Sequence, residues 1–348
     1  MLLPETLALH DQEKFEFHYI YFLPWKSQMV EAITAAGGKV TCFGATNNLQ
    51  ILQQRKKVRS YIREHHIDII HAHLPWAGFL ARLLHKMTKV PTFYTEHNKQ
   101  ERYHRITYIL NKLTFNWQSA VIAVSSDVKE SILAHISPKI PVEVILNGVN
   151  TCRYNPEKGK EQEILKPYHI PDNAFVVGTV SVFRFQKRLK EWLQVFSKAA
   201  EKNPRLYGII VGDGPLKEEL LEERKRLGLD YKIIMPGLQT NTIDWFSAMD
   251  VFMMTSEFEG LPIALLEAMS MQCAILTTDA GGIKEVIQHD KNGIMVDEWQ
   301  KLSKYLIDLS NDPARVQKMA HAARERVIEN FSLENMVAKL EALYLSEK

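Results

Sequence analysis

The sequence is poor in cysteine: three in 348 residues, Cys42, Cys152 and Cys273, an odd number without C-x-x-C spacing. That excludes a disulfide framework and suggests a reduced compartment. Long apolar runs are missing as well, and none approaches the roughly 18–20 residues of a membrane span. The N-terminus lacks the basic-then-apolar pattern of a secretory signal. By elimination the expected location is cytoplasmic. Excess charge of one sign is also lacking: the formal net charge of +2 gives no sign of a nucleic-acid partner, and none is expected. The distribution is less even, about +7 over residues 1–160 and about −5 over the rest. A basic first half could face anionic lipid headgroups or a phosphorylated acceptor. A solvated basic helix face explains it at least as well.

What is present is an ordinary globular composition, 46% apolar and 24% charged, in a chain long enough for two domains with separate cores. Strand and helix signals alternate almost end to end. Strand-like runs at 15–23, 39–43, 67–71, 92–95, 120–124 and 142–145 are separated by amphipathic stretches such as 49–65, 77–87 and 105–117. The second half repeats the logic, with strands 175–180, 207–211, 251–254 and 274–277 and helices 189–202, 216–227 and 262–271. Such alternation predicts an α/β fold of doubly wound parallel sheets with helices on both faces. The polar stretch Asn147–Asp172 reads as the boundary. It gives a first Rossmann-like domain over 1–160 and a second over 161–348, whose terminal helices could pack back on the first. One expected part is not visible. A doubly wound nucleotide-binding domain normally opens with its central strand and a Gly-rich turn, whereas this chain opens with a helical segment, Leu2–His10. A sheet without that strand leaves backbone groups unpaired, so a truncated start is the favoured reading.

The most specific signal is Glu259–Glu267, reading Glu-Gly-Leu-Pro-Ile-Ala-Leu-Leu-Glu after the buried-looking strand Val251–Met254. Gly260 and Leu261 make a tight turn, and Pro262 suits the first helical position. The amides of Ile263 and Ala264 then point above the strand end, where a helix N-terminus favours an anion such as a diphosphate. Glu259 sits beside that anion. Glu267 lies on the helix, where its carboxylate could accept hydrogen bonds from two ribose hydroxyls. A helix with merely exposed carboxylates is the plain alternative, but it leaves the second Gly-rich turn, Ala280–Ile287, without a reason.

Glu-x7-Glu in this setting, followed by Gly-Gly-Ile-x-Glu-Val, resembles the retaining glycosyltransferase family 4. The likeness extends over nearly the whole chain, including Ile145–Asn150 and Val211–Pro215. It implies the GT-B fold, two Rossmann-like domains facing a cleft, and transfer of a sugar from a nucleotide-diphosphate donor, preferably a UDP-sugar. The implied acceptor is a glycan or a lipid-linked molecule, as in polysaccharide biosynthesis. By this resemblance Glu259 binds donor-sugar hydroxyls and Glu267 the ribose, with Gly260, Leu261, Ile263, Ala264 and Gly212 completing the donor site. Lys187 matches the family lysine that holds the diphosphate. The family arginine most often lies five residues earlier, where this chain has Val182, and Arg184 is the substitute. His97 matches the active-site histidine near the reacting face of the donor sugar. The family's Gly-rich loop in the first domain has no counterpart, so the chain as given is expected to bind donor poorly or turn over slowly.

His71 and His73 end one strand and His97 another, and ligands of open α/β sheets bind beyond such ends. No Cys or second His cluster stands at zinc-ligand spacing, and no Asp-x-Asp stands where a metal-dependent transferase needs one. No metal is expected. Retaining hydrolases use paired carboxylates, and nothing in the sequence places a second one beside Glu259. Same-face attack through an oxocarbenium-like state is therefore expected, with the leaving phosphate taking the acceptor proton. Arg55–Arg59 with Arg63 forms a basic helix face that could dock on an anionic membrane as a peripheral protein. Two other readings stay open: a nucleotide-sugar epimerase on the same fold, and a non-catalytic subunit that binds nucleotide or a partner.

Overall fold

Runs such as Phe175–Val180 and Ala274–Thr278 are apolar or small at nearly every position, the pattern of strands covered on both faces. In the computed structural model, which describes residues 2–346, the chain divides into two units: Met1–Asn147 with Leu333–Lys348, and Gly148–Ser332. The α/β architecture of parallel sheets is the one the alternation implied.

The first unit contains β1 (His18–Tyr21), β2 (Lys39–Cys42), β3 (Ile70–His73), β4 (Thr92–Glu96), β5 (Ala120–Ala123) and β6 (Val142–Val144). They form two sheets, β1–β2 and β3–β4–β5–β6, both parallel. Side chains rather than backbone bonds join the two: Ile20, Phe22 and Phe43 share a cluster with Ile67, Ile70 and buried Leu80 and Leu84. The strand expected at 67–71 starts only at Ile70. The preceding segment still finishes a helix, with His66 in the left-handed region (φ 49°) and the Ile67 amide donating to the Ile62 carbonyl at 3.0 Å.

The second unit holds β7 (Phe175–Val180), β8 (Leu206–Val211), β9 (Ile233–Gly237), β10 (Val251–Met254), β11 (Ala274–Thr278) and β12 (Ile294–Val296). One parallel sheet orders them β9-β8-β7-β10-β11-β12. The order reverses between β7 and β10, and the crevice at such a reversal is where doubly wound sheets bind ligands. Helix Leu189–Ala200 fixes this point. Its Leu189, Trp192, Leu193 and Phe196 recur at helical spacing and are buried. The Trp192 indole donates to the Met253 carbonyl at 3.0 Å, tying the helix that follows β7 to β10.

The domain limits differ from residues 160 and 161 in two respects. Residues from Gly148 onward already belong to the second unit, because Tyr154 is buried there: its carbonyl accepts from Ser270 Oγ at 2.6 Å, and its hydroxyl lies 3.3 Å from Thr242 Oγ1. Helix Leu333–Leu345 belongs to the first unit. Its Tyr344 packs with Phe93, Ile122 and Ile145, and its Glu341 holds His10 at 2.9 Å.

Candidate active site

In the second unit the site is assembled from loops after β7, β8 and β10. The loop after β10 begins with two buried hydroxyl residues. Thr255 Oγ1 donates to the carbonyls of Lys187 and Arg188 at 3.0 and 2.8 Å, and the Glu257 amide donates to the Gln186 carbonyl at 2.8 Å. These bonds lock the β7 loop to the β10 loop. Lys187 ends a short turn, Phe185–Lys187, and Arg188 takes a left-handed conformation (φ 49°) before the helix starts. Lys187 is thereby aimed at Glu259: Nζ lies 2.5 Å from Oε1, and Ser256 Oγ donates to the same oxygen at 2.7 Å. Only 19% of the lysine and 11% of the glutamate side chain is exposed. A charge-assisted bond so sheltered is stronger and better oriented than a surface pair.

Beside the pair lies a hollow lined by Ser181, Lys187, Thr255, Ser256, Pro262 and Ala264. The helix behind it, Ile263–Ser270, begins one residue later than the sequence suggested, with Pro262 as its N-cap and no side-chain cap. The amides of Ile263 and Ala264 are the uncapped first donors, while Leu265 already bonds to the Pro262 carbonyl at 3.2 Å. Ser181 Oγ and Gln186 Oε1 are buried with no hydrogen-bond partner among the described residues. An orphaned hydroxyl at the rim of a hollow costs about 1–3 kcal/mol, a cost that an oxygen-rich ligand would remove.

Gly212 follows β8 with φ +136°, and a Cβ there would sit 1.9 Å from the Ser181 carbonyl oxygen. Backbone bonds run across the same gap, from the Phe183 amide to the Asp213 carbonyl at 3.0 Å and from the Leu216 amide to the Phe183 carbonyl at 3.2 Å. Gly212 therefore shapes the site by letting two loops touch. Arg184 is exposed on the β7 loop and has no ion pair among the described residues, so it is not gathered into the Lys187–Glu259 pair. Arg188 pairs with Glu257 at 3.3 Å. Glu267 faces Tyr154, whose hydroxyl is pushed up by burial first and by that carboxylate second. Gly260 is half-buried and Leu261 is buried in the turn between the two glutamates.

Ser181, Thr255, Ser256 and Tyr154 were not singled out in the sequence. For the first three the signal was available: small hydroxyl residues directly after buried strands at the reversal point. Tyr154 had none, because its partners are distant in sequence.

In the first unit His97 follows β4. His73 Nδ1 lies 3.2 Å from His97 Nε2, while His71 is engaged on both nitrogens, by Tyr344 Oη at 2.5 Å and Thr95 Oγ1 at 2.7 Å. Burial pushes His97 down to about 4 and His71 to about 3, and holds His73 well below its ordinary value. All three are neutral near pH 7, so His97 acts there as a hydrogen-bonding group and not as a cation. His71 is thus held on both sides by its neighbours, and His73 contacts His97. Next to them Leu74 is held at φ +70° with 60% of its side chain exposed, a costly conformation for a branched residue.

The loop carrying His97 is pinned from below. Buried Glu96 accepts from the Asn98 amide at 3.2 Å, Gln100 Nε2 at 2.7 Å and the Tyr103 hydroxyl. Gln100 Oε1 accepts from Asn111 at 2.6 Å, and Asn111 Oδ1 accepts from Arg82 at 2.6 Å, so a polar network crosses the interior to fully buried Arg82. Among the described residues no three of His, Cys, Asp or Glu stand together as metal ligands.

The chain resembles known glycosyltransferases over most of its length. Residues 8–153 match the family described as Glycosyltransferase Family 4, and residues 160–326 match Glycosyl transferases group 1. The chain is 27% identical over 299 residues to N-acetyl-alpha-D-glucosaminyl L-malate synthase of Bacillus anthracis, covering 83% of this chain and 77% of that protein. It is 22% identical to the Escherichia coli UDP-Gal:alpha-D-GlcNAc-diphosphoundecaprenol alpha-1,3-galactosyltransferase, over 86% and 81% of the two chains. Among solved structures, Anabaena Alr3699/HepE in complex with UDP and glucose shares the fold, with a TM-score of 0.85 at 19% identity, covering 99% of this chain and 95% of that one. Two parallel-sheet units, each matched along most of its length, define the GT-B class. The chain has the GT-B fold, and its two halves match these two glycosyltransferase family models.

Proposed function

We propose that the chain transfers a sugar from a nucleoside-diphosphate sugar, preferably a UDP-sugar, to a glycan or lipid-linked acceptor, with retention at the anomeric carbon and without a metal ion. The observation that carries this reading is the sheltered Lys187–Glu259 pair beside a hollow at the β7/β10 reversal, backed by the uncapped N-terminus of helix Ile263–Ser270. In it the Ile263 and Ala264 amides, Ser181 and Lys187 hold the diphosphate, with Arg184 closing over it from the loop. Glu259 accepts from sugar hydroxyls, and Glu267, oriented by Tyr154, from the ribose. Fixed cations and amides at the departing diphosphate stabilise the charge that develops as the glycosidic bond breaks. The leaving phosphate takes the acceptor proton on the same face, and neutral His97 donates to or accepts from the sugar near the reacting carbon. The names of the relatives support the donor class: one carries UDP-Gal in its own, and a neighbour of the same fold was solved with UDP.

The test is calorimetry and thermal shift with UDP, GDP and ADP on the whole chain and its Lys187→Ala and Glu267→Ala variants, followed by turnover of the sugar donor that binds. A ligand at 100-fold its Kd stabilises by about 2.7 kcal/mol. Losing a charge-assisted bond of ~1.5–3 kcal/mol weakens binding roughly 10- to 150-fold. Equal binding by Lys187→Ala and the parent would sink the assignment, as would failure of every nucleoside diphosphate to bind.

A further inference from the structure

Helix Arg105–Thr114 is built inside out. Its buried position is polar: Asn111, 1% exposed, is fixed between Arg82 and Gln100, and Thr114 Oγ1 also accepts from Arg82 at 3.1 Å. Its outward positions are apolar. Ile106, Ile109 and Leu113 are 58, 44 and 68% exposed, and at i, i+3 and i+7 they form one stripe. Arg105 and Lys112, two turns apart, run alongside that stripe, both exposed, and no carboxylate pairs with either among the described residues. An ordinary surface helix does the reverse, apolar inward and polar outward. The Arg82 network fixes which way this one faces, so the stripe is not a packing accident.

An apolar stripe edged by cations that no carboxylate pairs, with Lys112 over the Tyr108 ring at 6.0 Å, matches an anionic bilayer surface: the aliphatic side chains reach the acyl boundary and the cations meet the headgroups. We propose that helix Arg105–Thr114 docks the first unit on an anionic lipid surface, with Ile106, Ile109 and Leu113 inserted and Arg105 and Lys112 at the headgroup level. The helix starts where the Glu96-pinned loop from His97 ends, so a lipid-borne acceptor would arrive close to that histidine. The basic helix Arg55–Glu64 is less suited. It buries its apolar residues Val58 and Ile62 and exposes Arg55, Lys56, Lys57 and Arg63, which gives charge without an anchor.

The experiment is flotation of the whole chain with vesicles of phosphatidylcholine alone or mixed with phosphatidylglycerol. The parent should float only with the anionic vesicles and be released by salt. The triple variant Ile106→Ser/Ile109→Ser/Leu113→Ser should stay in solution, and Arg105→Gln/Lys112→Gln should bind about 25-fold more weakly, at about five-fold per cation. Arg55→Gln/Lys57→Gln should bind within about two-fold of the parent by the same reasoning. All the replaced side chains are exposed, so unchanged thermal unfolding checks each fold, and unchanged UDP binding separates this result from the fate of the transferase reading. Undiminished flotation of the triple variant would overturn the proposal, as would a loss confined to the Arg55/Lys57 variant. Sedimentation velocity covers the remaining occupant: a dimer of the parent that the triple variant dissolves, with no flotation by either, would assign the stripe to a second copy and overturn it too.

Discussion

Gly212 offers the sharpest test of how the donor site is built. A methyl group at this position would lie 1.9 Å from the Ser181 carbonyl oxygen, and the residue's φ of +136° suits no L side chain. Gly212→Ala therefore has two costs. The backbone conformation contributes about 1–3 kcal/mol, and pushing apart two loops that meet backbone to backbone adds about 1–3 kcal/mol. The sum is about 2–6 kcal/mol. For a unit of this size each kcal/mol lowers Tm by about 2–4 °C, so a loss of roughly 10 °C is central. Gly228→Ala is the internal control, because Gly228 also has positive φ (+68°) but nothing within 4 Å of its added Cβ. It should lose only the backbone contribution, about 1 kcal/mol. Urea denaturation followed by circular dichroism measures both. Since Ser181 and Lys187 belong to the displaced loop, Gly212→Ala should also lose nucleotide binding at temperatures where it remains folded, whereas Gly228→Ala should keep it. Equal destabilisation by the two substitutions would refute the argument that backbone contact, and not merely φ, requires the glycine.

Stability should also respond to acid through the buried histidines. Folded His71 and His97 titrate near 3 and 4, below the ~6.5 of an unfolded histidine. The unfolded chain thus takes up more protons below pH 6.5. The stability these groups contribute is intact above that value and falls as the pH drops toward 4, by up to about 1.4 kcal/mol per pH unit for each. His71→Asn should flatten the slope of unfolding free energy against pH between 6.5 and 4.5; an unchanged slope would show that the carboxylates alone set it. Arg82→Met keeps much of the volume but strands the oxygens of Asn111, Gln118 and Thr114 that accept from the guanidinium. At about 1–3 kcal/mol for each buried group left unpaired, chemical denaturation should report a loss of about 3–9 kcal/mol, and a loss below about 1 kcal/mol would mean that water replaces the guanidinium.

The fold was legible where one residue's neighbours in the chain decide its state. Phe175–Val180 and Ala274–Thr278 read as covered strands because their apolar runs are continuous, and the turn at Glu259–Pro262 read as a strand-to-helix joint because Gly and Pro stand where such a joint needs them. Lys187 was read from the resemblance to family 4, and its partner Glu259 from the Glu-x7-Glu motif; nothing in the sequence said that the two would meet at 2.5 Å. What stayed hidden depended on distance along the chain. Residues 105–117 read as an ordinary amphipathic helix, yet which side faces inward is set by Arg82, one helix earlier. His71 read as the end of a strand, and nothing nearby in the chain showed that Tyr344 and Thr95 would take both its nitrogens. Arg184 was assigned by a shifted motif position, and in the structure it is exposed on the β7 loop.

The return of helix Leu333–Leu345 to the first unit has a consequence for synthesis. The ribosome makes residues 1–147 first, but Phe93, Ile122 and Ile145 wait for Tyr344 and its neighbours to cover them. The whole second unit is made in between. At about 5–20 residues per second, that interval is roughly 10–40 s, during which the sheet β3–β6 presents an apolar face to solvent or to a holding chaperone. The unit made first is completed last, and the second, continuous in sequence, can fold without waiting for it.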